Sequence, residues 1–150
     1  MTMNKAHDIA RDNISAARQT SIGWMLKMLS DSLDKQMNQA LKPLGLNLSQ
    51  FAIMMVLIER DDISQSDIGR QVLMASYATT RNIDVLVKMG LVQRHPHRQS
   101  RRSINICVTE QGTALAGKLI NILREVNQAL LQPLDEAEQE TLKKLLPRLI

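Results

Sequence analysis

A change of hydrophobic period at Gly90 constrains the fold of this chain more than any other feature of its sequence. The stretch SYATTRNIDVLVKMG, which ends at this residue, is predicted to be a helix because apolar residues recur on one side at helical spacing. The residues on that side are Thr79, Ile83, Leu86 and Met89. Two short β-rich stretches follow, GLVQRHP and SINICVT, and the second alternates apolar with polar residues. They bracket the decapeptide RHPHRQSRRS, which is therefore predicted to be the tip of a β-hairpin, with Gly90 at the C′ position past the helix end.

Two further helices are predicted before this one. The stretch LNLSQFAIMMVLIERDD is strongly apolar and predicts a helix with Ser49 as its N-cap. In ISQSDIGRQV, Ser64 and Asp67 have the capping-box spacing of a short helix, and the turn LMAS joins it to the next helix. A helix pair with a tight turn followed by a β-hairpin is the layout of a winged helix-turn-helix. We therefore predict a mainly α fold with a small β-hairpin wing, in which residues 48–110 form that module.

Long helical segments flank the predicted module. The first covers residues 9–42, ends at Pro43, and carries an apolar face that a small domain cannot bury entirely. The second covers residues 109–132, and a shorter helix with acidic residues in its first turn follows it. We predict an N-terminal helical region over residues 1–47 and C-terminal helices over residues 111–150, with part of the apolar surface in contact with another chain.

Composition narrows the classes of function. The net charge of +4 and the sequence pI near 9.5 favour an anionic partner. Three aromatic residues are too few for a base-stacking surface that binds single strands or RNA. One cysteine excludes an internal disulfide and a multi-cysteine zinc site. The sequence suggests no Ser-His-Asp set and no glycine-rich phosphate loop, so we predict neither an enzyme nor a cofactor.

The sequence also predicts a cytoplasmic protein. The stretch MTMNKAHDIARDN is polar and mixed in charge, unlike the apolar region of a secretory signal. No apolar run approaches the roughly 18 residues of a transmembrane helix, so no membrane partner is expected.

The chain resembles the MarR-type transcriptional regulators. The resemblance runs through LSQFAIMMVL, SQSDIGRQV, TTRNIDVLVKMGLVQR and RRSINICVTEQG, and the flanking helices agree in order and length. It implies a homodimer whose N- and C-terminal helices interlock and which binds double-stranded DNA at a pseudo-palindromic operator as a repressor. The two recognition helices of such a dimer lie in successive major grooves, about 34–36 Å apart.

The predicted recognition helix, residues 76–89, supplies the candidate base contacts. With its apolar side inward, the other face near its N-terminus presents Tyr77, Ala78, Thr80 and Arg81. Arg81 is the leading candidate, because a guanidinium can bond guanine O6 and N7 together. An ordinary solvated helix face is the alternative. Candidate contacts to the DNA backbone are Ser64, Gln65 and Lys88, although Ser64 can also cap its helix.

The arginine-rich hairpin tip is the remaining candidate contact. In the family pattern the tip carries Asp-x-Arg, with the arginine in the minor groove and the aspartate holding it in position. Arg102 stands at the arginine position and Arg101 at the intervening one, whereas Ser100 replaces the aspartate. No acid lies between residues 85 and 109, where five basic residues fall: Lys88, Arg94, Arg98, Arg101 and Arg102. We predict salt-sensitive duplex binding by this wing, with a merely solvated charge run as the alternative.

The resemblance also implies a small aromatic or phenolic effector, bound between the dimerisation helices and the winged module. Candidate pocket residues are Trp24, Met25, Met28, Met54 and Met55, because thioethers adapt to varied apolar shapes. Core filling is the favoured interpretation of the methionines. His95 and His97 are too few ligands for a metal site, so none is predicted, and Cys107 is expected to pack as a small apolar residue.

Two other functions remain open at this point. A non-specific architectural DNA binder and a protein-interaction module could both keep this fold, and Ser100 leaves room for either. Replacement of Arg81 by alanine should reduce selectivity in a sequence-specific regulator but reduce affinity uniformly in an architectural binder. A protein-interaction module would bind no duplex even at low salt.

Overall fold

The computed structural model describes residues 2–97 and 100–150, with side chains over residues 7–96 and 104–150. The helices are α1 (Thr2–Thr20), α2 (Ile22–Leu41), α3 (Leu48–Glu59), α4 (Gln65–Gln71), α5 (Ser76–Lys88), α6 (Glu110–Ala114), α7 (Ala116–Leu131) and α8 (Glu136–Leu145). Short 3₁₀ turns cover Lys42–Leu44 and Leu146–Arg148. The strands are β1 (Ile63–Ser64), β2 (Val92–His97) and β3 (Ser100–Val108). The prediction of a mainly α fold with a β-hairpin wing is confirmed.

The chain divides into two compact units, Met1–Gln36 and Met37–Ile150. The three-part division into residues 1–47, 48–110 and 111–150 stays a prediction.

The N-terminal segment forms two helices, so the prediction of a single helix over residues 9–42 was wrong. The break falls at Ser21, whose hydroxyl accepts a hydrogen bond from the Trp24 backbone N–H at 3.2 Å. The Ser21 carbonyl accepts the first intrahelical bond of α2, from the Met25 N–H at 3.0 Å. Ser21 therefore acts as an N-cap, and the apolar periodicity continues across it because a cap interrupts the backbone without changing the spacing of the side chains.

The core of the second unit is formed by apolar side chains of α3, α4, α5, the sheet and α7. The side chains without any exposed area include Ile53, Met54, Leu57, Ile68, Ile83, Leu86, Ile106 and Leu119. The N-cap of α3 is Asn47, so the prediction of Ser49 was wrong. Asn47 Oδ1 accepts from the Gln50 backbone N–H at 2.9 Å, and Gln50 Oε1 accepts from the Asn47 N–H at 3.0 Å. This reciprocal capping box starts the helix at Leu48 and leaves Ser49 within its first turn.

Helices α4 and α5 end in the same way. After α4, Leu73 has a φ of 52°, and the Met74 N–H donates to the Gly69 carbonyl at 2.8 Å. After α5, Gly90 has a φ of 72°, and the Leu91 N–H donates to the Leu86 carbonyl at 3.0 Å. Both ends are Schellman motifs, in which the C′ residue adopts the left-handed conformation. The prediction that Gly90 occupies this position is confirmed.

The three strands form an antiparallel sheet in the order β1-β3-β2. The hairpin of β2 and β3 confirms the prediction, whereas β1 was not foreseen because two residues are too few to show a period. The alternation in SINICVT holds only in part, because Ile104 is 47% exposed and Asn105 only 8%. Asn105 Nδ2 donates to the Asp62 carboxylate at 3.0 Å, and the Val108 N–H donates to Asp61 Oδ1 at 2.8 Å. These two aspartates therefore hold β3 against the end of α3.

The segment after β3 also differs from its prediction, since the helix expected over residues 109–132 is two helices. Thr109 caps α6 by accepting from the Gly112 N–H at 3.0 Å, and the chain turns at Leu115 before α7 begins. A Cβ at Gly112 would collide with the Leu91 carbonyl, so this close approach requires glycine. The final helix, α8, starts with a capping box between Asp135 and Glu138, which confirms its acidic first turn.

In the described part of the chain, no helix by itself combines the length and the apolarity needed to cross a membrane. One sharply bent pair, Ile22–Leu44 with Leu48–Glu59, satisfies the criterion by length and composition alone.

Candidate nucleic-acid interface

Helix α5 is divided into a buried face and an exposed face. Thr79, Ile83 and Leu86 are at most 1% exposed, as the sequence predicted. On the opposite face, near the N-terminus, Tyr77 is 80% exposed and Arg81 is exposed as well. Within the described residues, the Arg81 guanidinium makes no hydrogen bond or ion pair. It is therefore available to a partner outside the chain.

The other predicted contacts on α5 are less accessible. Ala78 and Thr80 are half-buried. The Thr80 hydroxyl donates to the Ser76 carbonyl at 3.0 Å and accepts from Gln65 Nε2 at 2.7 Å. Two residues predicted to touch DNA are thus bonded to each other, and this bond fastens the start of α4 to α5.

Ser64 also has an internal role. Its hydroxyl accepts from the Asp67 backbone N–H at 3.1 Å and donates to Asp67 Oδ2 at 2.6 Å, so it caps α4 as predicted. The hydrogen bond from Ser64 and the ion pair with Arg70 lower the pKa of Asp67. Asp67 therefore stays ionised, and its negative charge interacts favourably with the positive, N-terminal end of the α4 dipole.

One arginine of the hairpin, Arg94, forms an ion pair with a residue of α5. Arg94 Nη2 lies 2.6 Å from Asp84 Oδ1, and the two side chains are 30% and 49% exposed. The expectation that Arg94 contributes free positive charge to the wing is therefore wrong, because Asp84 neutralises it. The sequence reasoning missed this carboxylate, which stands one position before the acid-free window of residues 85–109.

The remaining wing predictions fall largely outside the described residues. Arg98 lies outside them, and so do the side chains of Ser100, Arg101 and Arg102. The minor-groove contact by Arg102 therefore stays a prediction. Lys88 is exposed at the last turn of α5, next to the start of the hairpin.

A small cavity of about 350 Å³ lies beside the sheet and is lined by Asp62, His95, Pro96, Asn105 and Cys107. Burial, a hydrogen bond to Asp62 and the charges of Asp61 and Asp62 raise the pKa of Cys107 to about 11. The thiol is therefore protonated at neutral pH, which agrees with packing rather than with a reactive thiolate. Among the described residues, no three His, Cys, Asp or Glu side chains are placed to share a metal ion.

Three of the predicted effector residues come together in the first unit. A cavity of about 560 Å³ between α1 and α2 is lined by Ser15, Arg18, Gln19, Trp24, Met25, Met28, Leu29 and Ser32. The Arg18 guanidinium stacks 4.6 Å from the centre of the Trp24 ring. Met54 and Met55 lie on α3 in the second unit, and Met54 is fully buried, so it fills the core there.

Comparison with known proteins agrees with this architecture. A family model described as MarR family matches residues 44–103. The HTH-type transcriptional repressor Rv2887 of Mycobacterium tuberculosis is 26% identical over 133 residues, which are 89% of this chain and 96% of that protein. A probable transcriptional regulator from Pseudomonas aeruginosa superposes with a TM-score of 0.79 at 29% identity, over 88% of this chain and 98% of that chain. A MarR variant from Escherichia coli, solved with operator DNA, has a TM-score of 0.79 at 24% identity, over 89% and 96% of the two chains.

Helices α3 to α5 and the three-stranded sheet thus form a winged helix-turn-helix. Over residues 44–103 the chain is similar to the MarR family, and over most of its length it is similar to the transcriptional regulators named above. Members of this family are regulators and not enzymes.

Proposed function

We propose that this protein is a homodimeric repressor that binds a pseudo-palindromic operator in double-stranded DNA and responds to a small effector in the cytoplasm. The observation that carries the proposal is the outer face of α5, where Tyr77 and Arg81 are exposed and Arg81 has no partner among the described residues. The E. coli MarR variant, which shares the fold, was solved in complex with operator DNA. By analogy, α5 enters the major groove.

The residues of α4 and α5 divide the work of binding. Arg81 contacts a base, and a bidentate contact of this kind is worth about 1–3 kcal/mol of discrimination. Tyr77 and Ala78 lie beside it and touch a base edge, a thymine methyl or a phosphate. Gln65 and Thr80 are bonded to each other at 2.7 Å, so their main contribution is to hold α5 in place. Ser64 and Lys88, with the wing residues Arg98, Arg101 and Arg102, contact the DNA backbone or the minor groove.

Exposed apolar residues support the dimer. In the first unit, Trp24, Met25, Met28 and Leu29 are 41–54% exposed. In the second unit, Leu145, Leu146 and Leu149 are 39–72% exposed near the end of the chain. Apolar surface of this extent in a regulator with paired recognition helices fits an interface with a second copy. Residues 1–47 and 111–150 would supply that interface, with residues 48–110 as the DNA-binding module.

The effector and the repressor role are supported by separate observations. The cavity at Trp24, Met25 and Met28 is large enough for a small aromatic or phenolic molecule, and Arg18 offers a cation to it. The repressor role is inferred by analogy with the relative Rv2887, which is named a transcriptional repressor.

The experiment is a selection of duplexes from a random-sequence pool at two salt concentrations, followed by affinity measurements on wild type and Arg81→Ala. We expect an enriched pseudo-palindrome, steep weakening with salt, and a loss of about 1–3 kcal/mol of discrimination at one base position in the variant. Lys88→Ala is the matched control, because losing a backbone contact weakens all sequences alike. Binding without an enriched sequence would favour the architectural alternative, and no binding at low salt would favour the protein-interaction module.

A further inference from the structure

The Schellman motifs that end α4 and α5 differ in the residue that adopts the left-handed conformation. Gly90 ends α5 with a φ of 72°, and glycine adopts this conformation without steric cost. Leu73 ends α4 with a φ of 52° in the same motif. A leucine in this region is strained, because its Cβ approaches its own backbone. The fold itself therefore favours glycine or asparagine at residue 73.

The exposure of the apolar Leu73 side chain to solvent is also unfavourable. Its relative accessibility is 94%, so its side chain packs against almost nothing within the described chain. A side chain that is both strained and solvated contributes little to folding. Such positions are found at functional sites, where a partner rather than the fold determines the residue.

The surroundings of Leu73 indicate the chemistry of that partner. A surface hollow of about 550 Å³ is lined by Ser66, Gly69, Arg70, Leu73, Met74 and Ser76. Ser66 and Ser76 are exposed, so two hydroxyls can donate to anionic oxygens, whereas the Arg70 guanidinium is paired with Asp67. Tyr77, 80% exposed, follows directly at the start of α5. Donors beside an exposed apolar side chain match a DNA backbone, which alternates phosphate oxygens with apolar deoxyribose faces.

We propose that Leu73 packs against a deoxyribose of the bound duplex and contributes affinity without sequence preference. The inference rests on the proposed function, because it extends the interface of α5 to the turn that precedes it. The strained Leu73 side chain thus contacts the sugar of the DNA backbone.

The test compares Leu73→Gly and Leu73→Ala with wild type by duplex affinity and thermal unfolding. We expect both variants to weaken Kd about three- to tenfold, by equal factors on the operator and on a random duplex. The slope of log Kd against log salt should not change, because no charge is lost. Leu73→Gly should raise Tm by up to about 4 °C, since it relieves the backbone strain. Gln71→Ala, which removes an exposed side chain two residues away, should leave affinity unchanged.

The outcomes separate this inference from the proposed function. A wild-type protein that binds no duplex at low salt contradicts the proposed function itself. A wild type that binds, with both variants binding equally well, refutes only the role of Leu73. A loss confined to the operator refutes the deoxyribose contact, and a joint fall of Tm and affinity in Leu73→Gly shows a structural role instead.

Discussion

Replacement of Asp84 by asparagine tests whether the wing and α5 are joined by their ion pair. The substitution removes the carboxylate that lies 2.6 Å from Arg94 Nη2 and raises the formal net charge of +4 by one unit. Because the two side chains are 30% and 49% exposed, the pair contributes about 1 kcal/mol rather than the several expected of a buried pair. For a chain of this length, that loss corresponds to a fall in Tm of about 2–4 °C.

Asp84→Asn should lower the stability of the fold but strengthen binding to a duplex of random sequence. Arg94 becomes free to reach a phosphate in each protomer of the proposed dimer, so the slope of log K against log salt should steepen by about 1.8, at about 0.9 per phosphate. Affinity for random duplex should therefore rise, while selectivity for the operator should fall because the hairpin is no longer held to α5. Fluorescence anisotropy with both duplexes between 50 and 200 mM salt would measure each quantity.

A matched control separates a freed arginine from a mere gain in charge. Glu59→Gln raises the net charge equally at an exposed position and should change neither slope nor selectivity measurably. Asp84→Glu keeps the carboxylate and should retain most of the wild-type behaviour. If Asp84→Asn loses stability but keeps the wild-type salt slope and selectivity, the ion pair is structural only and our reasoning is refuted.

Two further predictions concern the fold around the module. Gly90→Ala should lower the free energy of unfolding by about 1–2 kcal/mol, because φ is 72° there and the new Cβ would lie 3.2 Å from Gln111 Oε1. Urea unfolding would measure this loss, and an unchanged midpoint would contradict the Schellman motif at Gly90. Cys107 should resist alkylation at pH 7–8 and react as the pH approaches its pKa of about 11. Because folding raises this pKa above its ordinary value of 9.0, the folded state should keep its full free energy of unfolding below pH 9 and lose part of it between pH 9 and 11. Rapid alkylation of Cys107 at pH 7 would disprove the raised pKa.

Sequence reasoning predicted the elements whose cause is local. The spacing of Thr79, Ile83 and Leu86 determines which face of α5 is buried, and Gly90 marks its end because few other residues adopt that backbone conformation. The hairpin followed from β-rich stretches on both sides of a polar tip.

Features that depend on contacts through space were missed. Counting charges along the hairpin included Arg94 as free, whereas Asp84 meets it from the preceding helix. Asn105 looked like a solvent-facing strand residue, yet Asp62 binds it from a loop 43 positions earlier. The hydrogen bond between Gln65 and Thr80 likewise spans 15 positions, so neither residue alone reveals that it is already satisfied. The break at Ser21 was local but was hidden by an uninterrupted apolar period.

The separation of the two faces of α5 has a consequence for the evolution of the protein. Thr79, Ile83 and Leu86 hold the helix in the core, while Tyr77 and Arg81 are exposed on its other face. Substitutions at the two exposed positions therefore cost little folding free energy, since surface changes away from special features usually fall within about 0.5 kcal/mol. A lineage can change residues on this face one at a time without passing through an unfolded protein. Under the proposed function, DNA targets can therefore diverge between relatives whose cores remain alike.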